Sequence, residues 1–582
     1  MKKHFFRAGS SLLVSAVLVG GCAGAASVPA PSGPSSLGHS APARVSATAA
    51  TPSVYVAERQ ARDLGPVPAG SKMSLTLTLR QRDAAGLQAL LAKGGRVTPS
   101  QWTSQYGPAP SLVHATLRAL ARAGISAKWE PGQVSLTVAA RAATVESFFH
   151  LAVHNFVTNA GTRFYGPLTE PVPPRSIANE VVAITGTDDY PRYLTAAILG
   201  PNGVTPAQMA SFYDMTPLRS AGINGSGVTV VFPEWAVPSD TVLDAYATKF
   251  GLPPFNVTVN QDPLQWGSPA TASDQGYAEL AGEAALDLEV VHGLAPGAQE
   301  IVYEAGNPSK LPTMLQAMVS AHPGAVLSSS IFMNACQQEP GAQQAATAEN
   351  AVFAEGAAEG MSMFFAAGDR GAFACVADGQ TSTLGTVSVE PDASSPNVTA
   401  VGGTTVFLAS NGAYYKEAAW GEPLEQWGGG GGVSTFYARP SWQQGPGLAG
   451  ITGRGVPDVS ANADIESGWD IFSPVQGQSA PQEGPVGGTS AATPCWAAIT
   501  ALIDEDLMQQ HLHTVGFANP ALYLFGSDPA GLPAPAFHEI TEGSNLHYPA
   551  TAGWNPATGL GSPDVAHLAD DFEWYERAHS GS

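Results

Sequence analysis

Basic side chains are scarce: 26 Lys and Arg stand against 48 Asp and Glu in 582 residues, a net charge of −22. So acidic a chain has little to grip a phosphate backbone, which excludes nucleic acid as a partner. The sequence has no internal repeat, and its N-terminal apolar run, Leu12 to Val19, is too short to span a bilayer as a helix. Preceded by Met1-Lys2-Lys3-His4-Phe5-Phe6-Arg7, that run reads instead as an export signal covering residues 1–22. It ends Leu18-Val19-Gly20-Gly21-Cys22, a lipoprotein-like box in which Cys22 is acylated after cleavage; ordinary cleavage within Cys22 to Ser27 is the alternative. Residues 23–68 are rich in Ala, Pro and Ser with little apolar periodicity, and read as a disordered tether.

Against this background a few short stretches carry chemistry. Gly487-Gly488-Thr489-Ser490-Ala491-Ala492-Thr493-Pro494 sets a hydroxyl residue after two glycines, where a loop turns into a buried helix and a substrate backbone can approach closely. A serine hydroxyl is a poor nucleophile without a base in reach and a third group to orient that base. Glu283 and Asp287 can supply both. In Tyr277 to Val291 apolar residues recur at helical spacing, so carboxyls four apart share one face. Two acids that close on an apolar face compete for protons, and one pKa rises. Two further stretches, Gly368-Asp369-Arg370-Gly371 and Gly402-Gly403-Thr404, complete the set.

In this combination and order the chain resembles the sedolisin family of serine-carboxyl peptidases, which includes kumamolisin-like members built on a subtilisin-like fold. The likeness extends to Val204-Thr205-Pro206, Ser395 to Thr404, the Gly-rich run Gly428 to Ser434, Pro457-Asp458-Val459-Ser460-Ala461 and Gly553 to Gly561. It implies Ser490 as nucleophile, Glu283 as general base, Asp287 as the acid coupled to it, and Asp369 as the oxyanion-hole partner. A carboxyl can stabilise an oxyanion only by donating a proton, so Asp369 must be protonated at the working pH. With reference carboxyl pKa values near ~4, activity is expected in acid, on the order of pH 3 to 5. A histidine base would be charged there. None of the thirteen histidines stands in the His-Gly-Thr context of an ordinary subtilisin; His292, the nearest imitation, reads as a helix-end packing residue.

The sequence departs from the family in two places. Ile331 follows Ser328-Ser329-Ser330 where relatives often carry the tryptophan that extends the acid network, which leaves open how Glu234, matching the outer glutamate, reaches Asp287. Relatives also bind one calcium ion near the C-terminus. The corresponding positions are Glu539, Ile540, Thr551, Gly553 and Asn555, which either hold calcium through oxygen ligands or form a loop tied by its own hydrogen bonds. The family likeness further pairs Cys336 with Cys375 as a disulfide; Cys495 reads as a buried small apolar residue.

The expected organisation is an activation prodomain over residues 69–189 and a peptidase domain over 190–582. The prodomain should be α+β and ferredoxin-like, with a strand from Met73 to Leu79, a helix from Ser111 to Ala123 ended by Gly124, a strand from Gln133 to Ala139 and a helix from Ala143 to Val153. The peptidase should be a three-layer α/β domain with a mainly parallel sheet. Residues 1–189 carry 17 Lys and Arg against 9 Asp and Glu, residues 190–582 carry 9 against 39. A basic unit can dock on an acidic one at neutral pH and loosen in acid. The expectation is a secreted, monomeric, self-processing zymogen cut between about Gly186 and Gly203, its propeptide an intramolecular inhibitor, its substrates proteins or peptides, and its only membrane link a lipid on Cys22. Tripeptidyl exopeptidase action and a silent peptide-binding surface lipoprotein are the alternatives.

Overall fold

The computed structural model describes residues 61–158, 161–190, 193–194, 198–199, 203–274, 276–333, 335–337, 340–375, 385–527 and 532–579. The export signal, Cys22 and most of the tether lie outside the described residues. No helix among those described is long and apolar enough to cross a membrane.

The N-terminal part is built on a four-stranded antiparallel sheet in the order Ser126–Lys128, Ser135–Arg141, Lys72–Leu79, Val181–Thr185. Helices Pro110–Arg122 and Ala142–Phe149 cover one face, burying Val113, Leu120, Val145 and Phe149 on Leu75, Leu77, Leu136 and Val138. The first helix ends one residue before the sequence suggests, with Gly124 in the left-handed region at φ 74°. The second is shorter than expected. His150 takes a left-handed conformation at φ 54° and the chain leaves as the strand Val153–Val157.

Strict alternation in Met73 to Leu79 predicts a strand buried on one face, yet Thr76 and Thr78 are buried too. Their face packs on the C-terminal part of the chain. Thr76 Oγ1 meets Thr313 Oγ1 at 2.7 Å, Lys310 Nζ donates to the Ser74 carbonyl at 2.6 Å, and Gln316 Oε1 accepts from the backbone N–H groups of Val134 and Ser135 at 3.0 and 3.2 Å. Leu87, Leu91 and Trp102 enter the same apolar core as Met314 and Phe353. Among the described residues the ion pair across this interface is Arg96 with Glu576 at 3.1 Å. Apolar burial and hydrogen bonds, most of them to backbone groups, therefore join the two parts more than ion pairs do, because the facing surfaces are helix sides and strand backbone.

The larger part contains seven parallel strands in the order Val257–Gln261, Gln299–Glu304, Thr229–Glu234, Val326–Ser329, Ser362–Ala366, Thr399–Leu408 and Val459–Asn462, with Tyr414–Ala419 antiparallel on Thr399–Leu408. Parallel strands covered on both sides read as continuous apolar runs. Val230, Phe232 and Phe364 point to helices Tyr277–Leu294 and Thr489–Gln509, while Val231, Met363 and Phe365 point to Leu311–Ala321 and Pro340–Ala358. This is the three-layer, subtilisin-like α/β arrangement expected from the sequence.

Candidate active site

The residues of interest gather at the C-terminal ends of the parallel strands, where such sheets leave an open crevice. Glu234 ends Thr229–Glu234, Ser330 follows Val326–Ser329, and Asp369 lies three residues beyond Ser362–Ala366. Glu283 and Asp287 lie one turn apart on Tyr277–Leu294, whose residues from Ala281 to Leu294 are all buried. That helix packs along Thr489–Gln509, which carries Ser490 in its first turn. Gly488 enters it at φ 116°, a conformation that a side chain disfavours.

Ser330 joins the two helices. Its Oγ donates to Asp287 Oδ1 at 2.6 Å and lies 3.0 Å from the backbone carbonyl oxygen of Ser490. That carbonyl needs an outside donor because residue 494, four further on, is a proline without an N–H. Burial pushes the Asp287 carboxyl up to about 7, and hydrogen bonds from Ser330 and Glu234 hold it from rising further. Glu234 is itself pushed well above the carboxylate range, first by burial and then by the charges of Asp287 and Glu283. Of the two, Glu234 keeps its proton to the higher pH, so it is the donor and Asp287 the acceptor once Asp287 has ionised.

Asp369 sits in a loop clamped by the Gly-rich run. Gly428 N–H donates to the Asp369 carbonyl at 3.1 Å and Gly430 N–H to the Gly368 carbonyl at 2.7 Å. A Cβ on Gly430 would collide with the Ala367 carbonyl. On the side chain, Oδ1 accepts from both the N–H and the hydroxyl of Thr489, at 2.7 and 2.8 Å. Oδ2 is buried without a hydrogen-bond partner, as is Ser490 Oγ. Burial raises Asp369 to about 6, against the Thr489 donors and the nearby Arg370 charge. Since Oδ1 already accepts twice, the proton belongs on Oδ2. Ser490 thus starts one helix, Glu283 and Asp287 lie on the helix packed along it, and Asp369 is bonded to Thr489, the residue before Ser490.

Several contacts were not visible in the sequence. In the sequence Ser330 stands out only as part of the Ser328-Ser329-Ser330-Ile331 departure. Glu390 and Asp392 are fully buried behind the Asp369 loop, with Glu390 packed against Gly368. Burial, followed by the charges of Asp392 and Asp369, raises Glu390 well above its ordinary range. Gly402-Gly403-Thr404 lies in the strand Thr399–Leu408, where Thr404 Oγ1 donates to buried Glu417 at 2.6 Å, a packing role. His292 ends its helix stacked on Phe255 at 3.8 Å, with Nε2 donating to the Pro253 carbonyl at 2.8 Å. Cys336 and Cys375 form a disulfide that fastens the chain just after Asp369, and Cys495 is buried and free. Near the C-terminus hydrogen bonds join Asn555 to Thr551 and Gly553, and Glu539 to Gly553, while Ile540 packs with Ala419, Ala550 and Ala557.

A seven-stranded parallel sheet with a buried serine-bearing helix beside a carboxyl-bearing one marks a subtilisin-like serine peptidase scaffold. Residues 59–190 match the family described as "Pro-kumamolisin, activation domain" and residues 271–515 that described as "Subtilase family". Kumamolisin of Bacillus sp. (strain MN-32) is 30% identical over 556 residues, covering 87% of this chain and 92% of its own. Sedolisin of Pseudomonas sp. (strain 101) is 28% identical over 553 residues, covering 88% and 89%. The solved Pseudomonas sedolisin, a serine-carboxyl proteinase complexed with two molecules of pseudo-iodotyrostatin, superposes with a TM-score of 0.54 at 29% identity, over 65% of this chain and 98% of that one. The chain belongs to the sedolisin–kumamolisin family of serine-carboxyl peptidases and carries that family's activation prodomain.

Proposed function

We propose that the chain is an exported, acid-acting serine-carboxyl endopeptidase made as a self-processing zymogen. In this reading Glu283 removes the Ser490 Oγ proton as Oγ bonds to the scissile carbonyl carbon. Asp287, held by Ser330 and Glu234, steadies Glu283, and the Asp369 Oδ2–H donates to the developing oxyanion. The C–N bond then breaks, the proton on Glu283 passes to the departing amine, and water releases the acyl group by the reverse sequence. The observation that carries this reading is the asymmetry of Asp369: one oxygen accepting twice from Thr489, the other buried and open to serve as a donor.

Endopeptidase action is supported by the course of the chain between the two parts. Tyr193–Leu194 pairs antiparallel with Phe332–Met333, just past Ser330, and Ile198–Leu199 pairs antiparallel with Val486 and Gly487, just before Ser490. Two described pieces of the chain that joins the parts are thus strand-paired beside the residues that flank the site, one next to Ser330 and one next to Ser490, which suits cleavage within a chain laid along the site. The first cut is expected between Leu194 and Ile198, within the segment the sequence indicated. Incubating purified precursor at pH 4 tests the reading. Wild type should shorten to a new N-terminus in that window, and Ser490→Ala and Glu283→Gln should remain full length. A folded wild-type precursor that stays intact, or processing that persists in Ser490→Ala, would refute it.

A further inference from the structure

The Asn555 side chain fixes the chemistry of the C-terminal loop. Its Oδ1 accepts from the N–H groups of Ala557 and Thr558 at 3.1 and 3.0 Å and from Thr558 Oγ1 at 3.2 Å. Its Nδ2 donates to the carbonyl oxygens of Thr551 at 2.9 Å and Gly553 at 3.4 Å. Turning the amide over would set N–H against N–H and oxygen against oxygen, so the backbone decides which end points where. The Thr551 and Gly553 carbonyls therefore face an –NH2 group, which carries partial positive charge and no lone pair to offer a cation.

The remaining carboxylate does not restore the site. Glu539 is exposed, and its Oε1 accepts from the Gly553 N–H at 2.8 Å. With an ionised aspartate at residue 555, one oxygen would keep the Ala557 and Thr558 donors and the other would face two carbonyl oxygens, a repulsion that a cation between them, or in acid a proton, relieves. With asparagine the same place is filled by two N–H donors. Amide and cation are alternatives there.

We propose that the Asn555 amide replaces a metal ion as the tie of the Thr551–Asn555 turn, so that this chain folds and stays folded without calcium. The proposal concerns the scaffold and holds whether or not Ser490 is the nucleophile.

The test uses the full-length Ser490→Ala chain, which does not digest itself, and reads metal content and melting instead of activity. After dialysis against calcium and then calcium-free buffer it should retain less than ~0.1 calcium per chain, and its Tm in EGTA and in millimolar calcium should agree within about 1 °C. Adding Asn555→Asp should lower the Tm in EGTA, and calcium should then raise it by roughly 3 °C or more. Stoichiometric calcium in the parent, or a parent Tm that falls in EGTA, would overturn the proposal. So would an Asn555→Asp chain that melts like the parent in both buffers.

Discussion

Ser330 holds Asp287 by a 2.6 Å hydrogen bond while also facing the main-chain carbonyl of Ser490. One hydroxyl thereby fixes the carboxyl relay and the nucleophile's backbone relative to each other. Ser330→Ala removes that donor and leaves Asp287 Oδ1 buried and unpaired, a loss of about 2 kcal/mol. The expected result is a kcat lower by roughly thirtyfold with KM within about twofold of wild type, since no substrate contact is lost. Steady-state kinetics on a chromogenic peptide at pH 4 measures both; an unchanged kcat would remove Ser330 from the relay.

Arg370 stacks over Trp427 at 4.1 Å from the ring centroid and sits beside Asp369, whose charged form it favours. Removing that charge should raise the Asp369 pKa. Arg370→Ala is therefore expected to shift the alkaline limb of kcat/KM to higher pH, by a few tenths of a unit given that the guanidinium is half-exposed and screened. A shift in the opposite direction would mean that Asp369 does not govern that limb.

The buried acids also predict how stability varies with pH. Asp287, Asp369 and Asp392 are raised to about 7, 6 and 7 in the folded chain, with burial the main cause in each. Unfolded, they titrate near ~4. Between those values the native state binds more protons than the unfolded one, so stability falls as pH rises. Their contribution is complete below about pH 4 and lost by about pH 7. The Ser490→Ala chain should accordingly melt several degrees higher at pH 4 than at pH 7; the reverse order would indicate that these carboxyls are ionised in the fold.

Gln316 closes the prodomain contact by accepting from two backbone N–H groups at once. Gln316→Leu leaves both donors buried and unpaired, at about 1 to 3 kcal/mol each. Processing at pH 4, followed on gels, should be faster than wild type by roughly tenfold or more. Unaltered timing would show that release does not begin at this face.

The parts legible in the sequence were those written in local spacing. Glu283 and Asp287 share a helix, Ser490 follows two glycines, and the alternation from Met73 to Leu79 marks a strand. What stayed hidden joins residues distant in sequence: Ser330 to Asp287 and Ser490, Thr489 to Asp369, Glu390 to Gly368. Such contacts depend on which strand ends lie side by side, a matter of sheet order that no local pattern encodes. Burial of Thr76 and Thr78 was missed for the same reason, because alternation reports one covered face and says nothing of a partner on the other. The charge division between the two parts is real, yet among the described residues the interface has one ion pair, Arg96 with Glu576, beside amide, lysine-to-carbonyl and apolar contacts.

The most direct measurement is the pH dependence of kcat/KM for wild type, Asp369→Asn and Asp369→Ala. If the Oδ2 proton supplies oxyanion stabilisation, wild type loses activity as Asp369 ionises near pH 6. The asparagine, whose amide donates at any pH while its oxygen still accepts from Thr489, should keep measurable activity and lose that limb. The alanine should fall by about a hundred- to a thousandfold at all pH values. A wild-type optimum at neutrality, or an alanine variant as active as wild type at pH 4, would contradict the account.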